Sequence, residues 1–154
     1  MPQPPDFPPA NPDYRTEVVR IFQAAPFIRA LGLEAETIAP GLCETRLVVR
    51  EDHQQQDGFV HAGVQASVAD HTAGAAGATL IPAGAIVLTA EFKINLLRPA
   101  RGPELRGSAR VLKPGRSLIV VESEVHGGPG AEALVAKATV TLAVVTPRPK
   151  AEAA

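Results

Sequence analysis

The chain has 154 residues, with 15 Lys and Arg against 16 Asp and Glu for a net charge of -1. That length suits one domain, and 45% hydrophobic with 20% charged residues is the composition of a globule with an adequate core, not of a disordered chain. No basic excess is present to neutralise phosphates, which argues against a nucleic-acid partner, and the single cysteine, Cys43, excludes an internal disulfide framework and a Cys-rich zinc site.

Pro2, Pro4, Pro5, Pro8, Pro9 and Pro12 make residues 1–13 an extended, polyproline-like tail. It has neither the basic flank nor the apolar core of a secretory signal, so a cytoplasmic location is expected. From Tyr14 to Leu31, Val18, Ile21, Phe22 and Ala25 recur at helical spacing, and Pro26 is placed to end or bend that helix. Leu33 to Arg50 alternates as strands do and is split by Pro40-Gly41. Glu51 to Gly58 reads as a polar loop. His61 to Leu80 is an Ala-rich helix, small on nearly every face and stopped before Pro82. Thr72 to Ala90 carries no charge, but its Ala and Gly content, Pro82 and the flanking Asp70 and Glu91 point to a protein interior and not a membrane span. Four strands follow: Ala85–Leu97, Glu104–Leu112, Ser117–Val125 and Ala133–Val145. Residues 147–154 form a second loose end, which leaves a domain of residues 14–146.

Turns of hairpin length at Pro114-Gly115 and Gly127-Gly128-Pro129-Gly130 make the later strands antiparallel. The expected class is α+β, with an antiparallel sheet wrapped around one central helix. Small residues along that helix would also let two helices or sheets approach across an interface.

The informative stretch runs His53-Gln54-Gln55-Gln56-Asp57-Gly58-Phe59-Val60-His61-Ala62-Gly63-Val64-Gln65, then Ser67-Val68-Ala69-Asp70. It resembles the motif of the hotdog-fold acyl-CoA thioesterases, in particular the phenylacetic-acid-degradation (PaaI-like) branch. That branch carries Asn, five residues, His-Gly-Gly, and an Asp nine positions after the His; His61 and Asp70 keep this spacing. Phe92, Leu97-Arg98-Pro99-Ala100 and Gly115-Arg116-Ser117 resemble later family elements, so the resemblance spans residues 31–145.

The resemblance implies hydrolysis of an acyl-CoA, with an aryl or medium- to long-chain acyl group, to a free acid and coenzyme A. Free N–H groups and partial positive charge at the start of a helix suit a carbonyl oxygen that gains charge on attack. The Ala62 N–H would polarise that carbonyl and Gly63 would keep the approach open. Asp70 would act as general base or as nucleophile. Nine residues of helix span about 13.5 Å, so Asp70 cannot reach a carbonyl held at the start of its own helix. A shared site in a C2 homodimer follows, and the family commonly pairs such dimers into tetramers.

Three departures stand out. Gln55 replaces the family Asn, Ala62 replaces the first Gly, and His71 follows Asp70, where it could shift the carboxylate's proton affinity. A carboxylate buried in an Ala-rich helix needs a partner or a task. His61 is assigned a structural bond at the helix start together with contact to substrate. Thr89 stands where relatives place a hydroxyl that helps hold water. Arg98, Arg101, Lys113 and Arg116 are candidates for the coenzyme A phosphates, with Arg98 and Arg116 preferred. Phe59, Val60 and Leu80 are candidates for the acyl pocket, and Cys43 reads as buried filler. No metal or redox cofactor is implied: His53 and Asp57 with His61 or His71 lack tight ligand spacing. The alternatives are a non-catalytic acyl-CoA-binding protein, to which a catalytic Asp would be useless, and a hydratase of the same fold.

Overall fold

The computed structural model describes residues 6–147. The first five residues of the expected tail, and residues 148–154 of the expected loose end, lie outside the described residues. Helix α1, Tyr14–Ala24, is followed directly by α2, Pro26–Leu31, with Pro26 at the first turn, where a missing N–H breaks no helical bond. Gly32 ends α2 in the left-handed region (φ +80°) and returns its N–H to the Ile28 and Arg29 carbonyls.

Strands β1, Leu33–Ala39, and β2, Leu42–Val48, form a hairpin about Pro40-Gly41. Helix α3, Ala62–Ala78, comes next, followed by β3, Ile86–Leu96, β4, Glu104–Pro114, β5, Leu118–Gly127, and β6, Ala133–Val145. The six strands lie in the order β1-β2-β4-β5-β6-β3, with every pairing antiparallel. The sheet wraps around α3, which touches all six strands. This is the α+β hotdog arrangement that the resemblance implies.

Small residues allow the helix to sit this close. A Cβ on Gly77 would run into the Leu142 side chain, and one on Gly107 of β4 would meet Thr45, Thr72 and Val68. The Thr45 and Thr72 hydroxyls, both fully buried, bond each other at 2.7 Å. Around them Leu47, Leu105, Ile119 and Leu142 are buried, each worth about 1.5–3 kcal/mol relative to exposure. Burial pushes the Cys43 thiol up to about 12, which leaves it inert packing.

Two segments are more ordered than their composition implies. Within Glu51 to Gly58, residues Glu51–His53 form a 3-10 turn, and the buried His53 accepts from the Arg50 N–H while its carbonyl takes the His61 N–H. In the described part of the tail, Phe7 packs on the core and Asn11 is buried, with its side chain accepting from the Asp13 N–H. No described helix is long and apolar enough to cross a membrane.

Candidate active site

The start of α3 is built by His61. Its backbone is extended (φ -58°, ψ 141°), and its Nδ1 accepts from the Gly63 N–H at 2.9 Å. The Val64 and Gln65 N–H groups both return to the His61 carbonyl. The Ala62 N–H is left with no partner among the described residues, at the positive end of a 17-residue helix. A Cβ on Gly63 would press on the imidazole at 3.0 Å, so this glycine serves the cap as well as the open approach expected of it.

Ala62 opens onto a hollow that it shares with Gln55, Phe59, Gln65, Arg98 and the Leu96–Ala100 strap. Gln55 bends its carboxamide oxygen back onto the Asp57 N–H, so that oxygen is already engaged, and its NH2 has no partner among the described residues. The Arg101 guanidinium lies 4.0 Å above the Phe59 ring, a cation–π contact that holds a positive charge beside this hollow. Arg98 spends one donor on the Leu134 carbonyl at 2.8 Å. Gln65 was not among the candidates read from sequence. It is buried, donates to the Val60 carbonyl at 3.2 Å, and leaves Oε1 without a partner among the described residues.

Asp70 lies elsewhere. Eight residues beyond Ala62, it stands about 12 Å along the helix and lines a different cavity, of about 390 Å³, between α1, α3 and β3. Thr89 on β3 donates to its Oδ1 at 2.8 Å. A bulge at Ala90, where the β3–β6 register slips between Thr89 and Glu91, sits beside that contact, the kind of irregularity that re-aims side chains near sites. The carboxylate is half-buried instead of sealed among alanines, because it borders this cavity and meets Thr89 on β3, an edge strand.

His71 corrects a second expectation. Its ring packs edge-on against Phe22 at 4.6 Å between centroids, and its Nε2 is buried without a partner among the described residues. Burial pulls its pKa down to about 4, so near neutral pH it is uncharged and brings no positive charge to Asp70.

Within one chain, then, the Asp70–Thr89 pair and the Ala62–Gln55–Phe59–Arg98 group are separate. Arg116 joins neither. It lies exposed in the β4–β5 turn, at the end of the sheet opposite the Leu96–Ala100 strap, since Leu118 pairs with Ala143 whereas Leu96 pairs with Ala136. Among the described residues, no group of three His, Cys, Asp or Glu is placed to hold a metal.

Residues 57–134 match the thioesterase superfamily. A protein of Saccharolobus solfataricus named as an esterase is 30% identical over 115 residues, covering 73% of this chain and 75% of the other. A thioesterase family protein from Silicibacter pomeroyi superimposes with a TM-score of 0.84 at 35% identity, over 87% of this chain and 99% of its own. The PaaI protein of the E. coli phenylacetic acid degradation operon shares the fold, with a TM-score of 0.78 at 17% identity over 88% and 96% of the two chains.

Proposed function

The chain belongs to the thioesterase superfamily and is a hydrolase of thioesters, and from that premise we propose that it hydrolyses an acyl-CoA at a site shared by two copies of itself. The observation that carries this reading is the separation of its two chemical groups. An unpartnered N–H at Ala62 and a carboxylate at Asp70 lie about 12 Å apart on one helix, too far to act on one thioester, while Asp70 faces the open β3 edge. A C2 partner with an antiparallel α3 would bring its own Ala62 to Asp70, and its Arg116 turn toward the Ala62 end, completing two equivalent sites.

In this scheme the thioester oxygen lies on the Ala62 N–H, with the His61–Gly63 cap holding the first turn in place. Thr89 holds one oxygen of the Asp70 carboxylate and leaves the other to take a proton from water. The hydroxide adds to the carbonyl carbon, and the oxyanion is held by the helix start. Collapse breaks the C–S bond, and the proton passes to the departing thiolate, giving acid and coenzyme A. Gln55 offers its NH2 to the water or the carbonyl. Phe59 and Arg98 flank the thioester and pantetheine, and Arg116 from the second copy meets the phosphates. The acyl group enters the cavity beside Asp70. Water and substrate suffice, with no further cofactor. The PaaI-like branch, a cytoplasmic location and pairing of dimers into tetramers accompany this reading.

Release of free thiol from a panel of acyl-CoAs tests it, with wild type beside Asp70→Asn. Turnover by wild type and a loss of roughly 10²–10⁴-fold in the variant is the expected result. Tight binding of acyl-CoA without thiol release from any chain length would favour the non-catalytic binder, and equal turnover by both proteins would remove Asp70 from the reaction.

A further inference from the structure

We propose that Gly74 sets the size of acyl group this chain accepts, by leaving the cavity beside Asp70 open to an aryl or medium-length acyl chain. The inference rests on the acyl-CoA hydrolysis reading and names the residue that governs its substrate class.

Helix α3 contains three glycines, and two have a reason within the chain. A Cβ on Gly77 would collide with Leu142, and one on Gly63 would crowd the capping His61. At Gly74 a Cβ would meet nothing within 4 Å. Glycine is also the least favourable residue for a helix interior after proline. Neither packing nor helix propensity asks for it here, and such a breach of local preference marks a functional position.

The space above Gly74 is the cavity of about 390 Å³ that Asp70 and Thr89 border, within the range of small-molecule sites. Gly74 is one helical turn beyond Asp70 and on the same face. Ile21 of α1, Ala75 and Ala78 of α3, and Ile86 of β3 supply apolar wall around it. A thioester whose carbonyl carbon is within reach of Asp70 would therefore send its acyl group along α3 and across Gly74. Any side chain there narrows the passage where the acyl group leaves the carboxylate.

The full-length protein, as wild type, Gly74→Ala and Gly74→Leu, would be assayed with acetyl-, decanoyl- and phenylacetyl-CoA, with thermal unfolding and oligomeric state followed alongside. The expected result is a fall in the kcat/KM ratio of decanoyl- or phenylacetyl- to acetyl-CoA, by roughly 10-fold for Gly74→Ala and about 100-fold for Gly74→Leu. Gly74→Ala should at the same time raise the thermal midpoint by roughly 2–4 °C, because the helix gains propensity and no contact is lost. Should Gly74→Leu fail to fold, Gly74→Ala decides. Unchanged ratios in both variants, in a wild type that does release thiol, would overturn this inference and leave the hydrolysis reading standing. Dissociation of the assembly by Gly74→Ala would assign the space to a second copy of the chain and overturn it as well. No thiol release by wild type from any substrate would overturn both.

Discussion

The two edges of the sheet are built differently. β1, at one edge, has seven residues, carries Glu34 and Glu36 facing solvent, breaks its register between Ala35 and Thr37, and packs against α1. Charges, a bulge and shortness are the features by which proteins keep an edge from pairing. β3, at the other edge, has eleven residues and exposes Ile86, Leu88, Phe92 and Leu96. The first edge is closed by its own chemistry, while the second offers apolar surface and unpaired backbone beside the Asp70–Thr89 contact. The contrast teaches where a second copy would dock, and it is the docking that the proposed reaction requires.

Charging the open edge should have the largest effect on this contrast. In the double variant Leu88→Lys/Phe92→Lys we expect monomers in sedimentation velocity and a loss of thiol release of about 100-fold or more, because the helix-start donor no longer meets the base. A fully active monomer would break the comparison.

The two sides should also respond differently to acid. His71, packed on Phe22 of α1 and bordering the cavity beside Asp70, titrates at about 4 when folded against 6.5 ordinarily. The unfolded chain therefore takes up a proton that the folded chain refuses. The stability concerned is present above pH 6.5 and is lost as pH falls toward 4, an effect of about 3 kcal/mol. On the outer face, hydrogen bonds from Arg106 and Arg46 hold Glu104 below the usual carboxylate range, and Lys137 does the same to Glu122. Their contribution is lost only as pH falls below 4.5. Urea unfolding across this range should show two windows, with His71→Asn removing the upper one alone. A pH slope unchanged by that substitution would show that His71 is not the group refusing the proton.

The smallest effect belongs to the closed edge. Glu36 lies 3.6 Å from Arg106 in an exposed pair, and Glu36→Ala should move the thermal midpoint by no more than about 2 °C, without altering assembly. A change of oligomeric state in that variant would show that β1 is an interface too.

Much of this architecture is legible in the sequence because proline and glycine punctuate it. Pro26, Pro40-Gly41 and Pro114-Gly115 fall where backbone rules require a break, and period-two alternation does the rest. The spacing of His61 and Asp70 on an Ala-rich helix likewise carries enough information to place one at a helix start and the other about two and a half turns on. What sequence does not carry is which neighbour consumes which hydrogen bond. The Gly63 N–H goes to His61 and the Val64 and Gln65 N–H groups return to the His61 carbonyl, so in the first turn of α3 it is the Ala62 N–H that has no partner among the described residues, while the Gln55 oxygen is spent on Asp57. The neutrality of His71 depends on burial against Phe22, and the setting of Thr89 on a bulge at Ala90. Those are tertiary facts, invisible to local pattern. The unpartnered Gln65 oxygen gives no signal at all in a run of amides and small residues.

The central claim, that one reaction draws on two chains, is tested most directly with mixed dimers. Asp70→Asn removes the base. Ala62→Pro removes the helix-start N–H at the first helical position, where proline is favoured, and after a His61 whose extended backbone already suits a following proline. Each variant alone should be nearly inactive. Unfolded together in equal amounts and refolded, half of the dimers should be mixed, each with one intact site, and thiol release should recover to about a quarter of wild type. Mixed dimers seen by native mass spectrometry, with no activity above that of the two parents, would contradict the shared site.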